Sequence, residues 1–170
     1  MPLPQISTPT YELVIPSSKK KVKFRPFLVK EEKILILAME SEDPKQIANA
    51  VKDVIGSCIL SKGIRVDKLS TFDIEYIFLN IRGKSVGEDI EIMVTCPDDE
   101  KTQVPTVIHL DEIKVHIDKD HSKNIKLDDE YTMTMKYPSL NEFVKSNLSS
   151  GGDLGVDDTF DLIASCVDQV

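Results

Sequence analysis

A chain of 170 residues, 41% hydrophobic and 29% charged, can bury a core of its own without disulfide or metal staples. That composition excludes wholesale disorder, and no apolar run reaches the roughly 20 residues a membrane-spanning helix needs. The net charge of −8 is divided unevenly, with +4 over residues 1–85 and −12 over residues 86–170.

An acidic C-terminal half repels phosphate backbones and disfavours nucleic acid as a partner. The contrast between the halves suits a protein partner or self-association, a second copy stacked head to tail. Cys58, Cys96 and Cys166 lie far apart with no C-x-x-C spacing, which fits a reducing cytoplasm better than a disulfide framework. The opening "MPLPQISTPTYEL" lacks the charged and apolar regions of a signal peptide.

In chain order, residues 1–29 predict an extended arm, held out of regular hydrogen bonding by Pro2, Pro4 and Pro9, and then a β-hairpin. Leu13 and Ile15 share one face of its first strand, and Val22 and Phe24 share a face of its second. Pro16-Ser17-Ser18 makes the turn, and Lys21, Lys23 and Arg25 alternate outward.

Residues 30–85 predict a bundle of three helices. The first contains six consecutive apolar residues, Ile34 to Met39, and so requires cover on most sides. The second opens on an Asp43 N-cap with Pro44 at the first helical position. It carries Ile47, Val51, Val54, Ile55 and Cys58 on one stripe, with Gly63 as its stop. The third opens on Ser70, with Asp73 completing an approximate capping box and Leu69 and Ile74 forming a hydrophobic staple. Its stripe is Ile74, Ile77, Phe78 and Ile81, and Gly83 ends it.

Residues 86–138 switch to a period of two and predict an antiparallel β segment. Its strands are expected around Ile90–Val94, in "VPTVIHL", in "IKVHI" (113–117) and in "YTMTMKY". Residues 139–170 predict short C-terminal helices: one opened by a Ser139/Glu142 capping box and running to Val144, then a Gly/Ser linker at 149–158. A last helix starts near Thr159, capped by Asp158, and reaches Val170 without a stop signal. The fold class is therefore α+β, in one compact domain or two small lobes.

Chemistry-bearing patterns are weak. "DKDHSKNIKLDDE" places Asp118, Asp120, Ser122 and Asn124 at calcium-loop positions, but Lys123 stands where the loop needs Gly and Asp129 where it needs Glu. Cys96, with His109 and His116 on nearby predicted strands, is an incomplete zinc set that leaves a metal-stabilised binding module as the alternative reading. No phosphate loop, nucleophile–base pair or cofactor motif is present, so no enzyme, no metal and no cofactor is expected.

The segments "KFRPFLVKEEKILILA" (Lys23–Ala38) and "FLNIRGKSVGE" (Phe78–Glu88) resemble the T4-like phage baseplate protein family, the hub subunits and hub-assembly proteins of contractile tails. The likeness continues through "PSLNEFV" and "DLIASCVD". It implies a structural or assembly protein of the baseplate hub that works by protein–protein contact with hub or tape-measure components, as an assembly chaperone in the host cytoplasm or as part of the virion. On that reading the partner-binding residues are Ile34, Leu35, Leu37 and Ala38 of the apolar run, assisted by Lys19, Lys20 and Lys21 at the hairpin turn.

Overall fold

The computed structural model describes residues 7–149 and 155–170; of the predicted elements, most of the arm and the middle of the Gly/Ser linker lie outside them. Strands β1 (Tyr11–Val14) and β2 (Lys21–Phe24) form the expected hairpin, with Leu13 opposite Val22 and Tyr11 opposite Phe24. Leu13, Ile15, Val22 and Phe24 are buried, while Lys21 and Lys23 point to solvent. Alternation alone put these side chains on the right faces.

Helices α1 (Val29–Glu40), α2 (Pro44–Cys58) and α3 (Thr71–Val86) pack in series, α1 on α2 and α2 on α3. The core joins the hairpin's inner face to Val54, Ile55 and Cys58 of α2 and to Ile74, Ile77 and Ile81 of α3. The hairpin, rather than α1, therefore closes the core. Asp43 caps α2 as expected, its carboxylate accepting from the Lys45 N–H at 2.9 Å.

Helix boundaries depart from the sequence reading where sheet pairing competes. Helix α2 stops at Cys58, before Gly63, because the next residues join the edge of β2: Ile59 bridges Phe24, and Leu60 N–H donates to the Lys23 carbonyl at 2.8 Å. Helix α3 runs past Gly83 to Val86, and its cap is Gly87 at φ 136°, a conformation that L side chains resist. The Ser70/Asp73 capping box does not form; both Asp73 oxygens instead take hydrogen bonds from Ser17.

Beyond α3, strands β3 (Asp89–Thr95) and β4 (Gln103–His109) form a two-stranded antiparallel ribbon. Ile92, Val94 and Val104 on one of its faces stay largely in solvent. Leu110, just after β4, is the buried anchor at its base. The strand expected at 113–117 does not form; among the described residues no second edge lies alongside it. Instead β5 (Asn124–Lys126), β6 (Thr132–Met135) and β7 (Val167–Gln169) make a three-stranded sheet in that order, β6 central.

Helix α4 (Leu140–Ser149) opens on the predicted capping box, Ser139 N–H donating to Glu142 at 2.7 Å, and is longer than expected. Helix α5 (Val156–Ser165) starts three residues before Thr159 and is capped at Gly155, with Asp157 and Asp158 in the first turn where the helix dipole favours them. It ends at Ser165 because the chain turns there into β7, a pairing no local stop signal announces.

Candidate functional site

The apolar run that demanded cover lies in α1, and α1 is the least covered of the first three helices. At 3.6 residues per turn, Glu31, Leu35 and Ala38 fall on one stripe, and that stripe faces the protein. Glu31 and Ala38 are buried, and Leu35 packs against the core. Ile34 and Leu37 line one flank of the stripe at 45% and 55% exposure, and Ile36 and Met39 line the other at 51% and 67%. Charged side chains sit among them: Lys30 beside the first flank, Glu32 beside the second, and Lys33 and Glu40 on the ridge farthest from the core. Of the predicted partner-binding residues, then, Ile34 and Leu37 are open to solvent, while Ala38 and most of Leu35 are turned inward.

Besides Leu35 and Ala38, a polar network holds α1. Glu31 sits in its first turn and Arg25 just beyond β2, and their side chains meet at 2.9 Å with little solvent access. Arg25 also donates to the Pro26 carbonyl at 2.9 Å and to the Ser57 carbonyl at 3.0 Å, so one guanidinium ties the hairpin to both α1 and α2. The second Glu31 oxygen accepts from the Leu28 N–H at 2.8 Å, which satisfies an otherwise orphan donor at the helix start. Burial works to raise the Glu31 pKa. The hydrogen bonds from Arg25 and Leu28, with the Arg25 charge, outweigh it and hold the carboxyl below its ordinary value.

Sequence alternation placed Arg25 outward with Lys21 and Lys23. The strand ends at Phe24, so the alternation no longer governs the next residue, and Arg25 turns in. Spacing gave one usable sign of the pair: Glu31 stands three residues after Leu28, where a capping-box acid belongs. Both residues fall within the Lys23–Ala38 segment that carries the family likeness.

Lys19, Lys20 and Lys21 lie at the turn end of the hairpin, all exposed, with Lys19 at φ 56°. Arg25 and the start of α1 lie at the opposite end. The two parts of the predicted site are thus anchored at different ends of one hairpin. Ser17, in the same turn, donates its N–H to Asp73 at 3.0 Å and its hydroxyl to the other carboxylate oxygen, fixing the turn on α3.

The incomplete zinc set does not assemble. Asp89 pairs with His109 at one end of the β3–β4 ribbon, whereas Cys96 follows Thr95 at the other. Seven residues at about 3.4 Å each separate Cys96 from His109, far beyond a shared ion. His109 instead contacts Asp89 at 2.7 Å, and His116 contacts Asp118 at 3.1 Å. Among the described residues no three His, Cys, Asp or Glu side chains are grouped to hold a metal. Burial pushes the Cys58 thiol up, against the pull of the Arg25 charge, so this core cysteine stays protonated.

These observations define a small α+β protein that presents apolar helix surface at one place and a cationic turn at another. Among the described residues, no helix is long and apolar enough to cross a membrane. A family model described as T4 bacteriophage base plate protein matches residues 8–170, and the chain belongs to that family. Membership gives it a structural or assembly role in the phage tail baseplate, with other baseplate proteins as its partners. No curated protein and no solved structure gives a significant match.

Proposed function

We propose that the protein serves the baseplate hub, binding a hub or tape-measure component through the open flanks of α1, and that it does so without enzymatic activity. The observation that carries this reading is a helix of 12 residues that leaves Ile34, Ile36, Leu37 and Met39 in water. Burying the half or so of each side chain that is still exposed is worth about 1–2 kcal/mol, which the isolated chain forgoes. Because they flank the inward stripe on both sides, a groove that receives α1 is the complementary partner shape. The likeness of the Lys23–Ala38 segment to hub proteins supports the hub as the location within the baseplate. An assembly chaperone would act in the host cytoplasm and leave, and a hub component would stay in the virion.

Co-expression with hub and tape-measure proteins, followed by pull-down and binding kinetics, tests the proposal. Truncating Ile36 or Leu37 to Ala should mainly speed dissociation, as interface truncations do. Neutralising Lys19, Lys20 and Lys21 should mainly slow association, with an effect that fades at high salt. Failure of every hub and tape-measure protein to co-purify would refute it. Mass spectrometry of purified particles separates the two fates.

A further inference from the structure

The turn of the β1–β2 hairpin and the loop before α3 face each other across a cleft of about 260 Å³. Its floor is apolar, with Ile15 buried and Ile64 and Leu69 partly so. Its rim is cationic: Lys20, Arg65 and Lys68 are all exposed, and none has an ion-pair partner among the described residues. Asp67, the carboxylate between the two loop cations, approaches Lys52 at 3.9 Å. Asp73 also lines the cleft, but it is fully buried and both its oxygens are engaged by Ser17. Three cations thus stand over one committed carboxylate. Their backbone is already set, since Ser17 fixes the hairpin turn on α3, and Arg65 caps and Lys68 ends a single 3-10 turn, Val66–Lys68.

We propose that this cleft binds an acidic segment of a protein partner, its carboxylates on Lys20, Arg65 and Lys68 and an apolar side chain over Ile64 and Leu69. Charge complementarity favours that occupant, and a guanidinium such as Arg65 can take a carboxylate in a two-pronged hydrogen bond. A nucleic acid fits less well: the small apolar floor offers no extended basic track, and the −12 half of the chain repels a polyphosphate. The inference deepens the part that the hairpin turn plays in the proposed function, and rests on that reading only in taking the partner to be a protein.

Fluorescence anisotropy with short labelled peptides and the full chain tests it. The probes are a peptide alternating Asp/Glu with Leu, one with Asn/Gln replacing its acids, and one with Ser replacing its Leu. The acidic Leu peptide should bind best, and salt should weaken it. The double variant R65Q/K68Q should lose about tenfold in affinity at low salt. The variant K114Q/K119Q, with the same change in net charge, should lose no more than about twofold. In the unaltered protein, the Ile64 and Leu69 amide resonances should shift as this peptide is added, a readout that needs no variant to fold. Equal binding of the Asn/Gln peptide, equal losses in the two double variants, unmoved Ile64 and Leu69 resonances, or tighter binding of a short single-stranded oligonucleotide would each overturn the proposal. No tail component enters this experiment. A failed peptide titration with hub proteins still captured sinks the cleft alone, and the reverse outcome sinks the α1 reading alone.

Discussion

At the scale of single residues, Arg25 and Glu31 form the most enclosed ion pair among the described residues. Replacing Glu31 by Gln leaves a largely buried guanidinium without its counter-charge and should cost about 2–4 kcal/mol. That sits toward the lower part of the usual range because Arg25 keeps some solvent contact. Urea denaturation measures it. The Glu31 pKa in the folded protein lies below its ordinary value of 4.5. The pair's contribution is therefore present above that ordinary value and is lost as pH falls through the depressed one. Melting followed from neutral to acid pH should show that loss in the natural protein and a flatter profile in Glu31→Gln. Phe78 is a milder case. The stripe on α3 places it with Ile74, Ile77 and Ile81, but it is only half-buried and packs at the margin of the core. Phe78→Ala should cost about 1.5–3 kcal/mol, less than the loss of a fully enclosed ring.

At the scale of elements, the helix starts are held by local chemistry that single substitutions can probe. Ser139→Ala removes the hydroxyl from the α4 capping box and should lower stability by about 1 kcal/mol, visible as a modest drop in melting temperature. Truncating Ile36 or Leu37 on α1 should leave stability within about 0.5 kcal/mol, because neither side chain touches the core. The same comparison explains what was legible in the sequence. The hairpin faces, the α2 stripe and the capping signals at Asp43 and Ser139 follow from period and from one or two neighbouring residues. What was not legible depended on partners distant in the chain. Helix α2 ends early because Ile59 meets Phe24, Asp73 leaves its helix cap for Ser17 across 56 positions, and β7 exists only because β6 offers it an edge. At the candidate site, the six apolar residues of α1 read plainly, but which of them face inward did not. An unbroken apolar run has no phase, and burial of Glu31 was needed to fix it.

At the scale of the whole molecule, stability should be independent of metal. EDTA should leave circular dichroism and the thermal melt unchanged, since Cys96 and His109 stand at opposite ends of their ribbon; unfolding by the chelator would revive a metal-stabilised module. The distribution of packing also divides the chain. The hairpin, α2 and α3 share one core, whereas β3 and β4 pair only with each other among the described residues, with apolar side chains on an open face. An isolated pair of strands is marginal in water. Amide hydrogens of Ile92 and Val94 should therefore exchange with solvent deuterium through local opening, well before those of Ile77 and Ile81, which open only with the core. The protein would then carry two clocks, a slow one for its core and a fast one for its ribbon, and the ribbon could unpair and re-form many times while the rest of the chain stays folded.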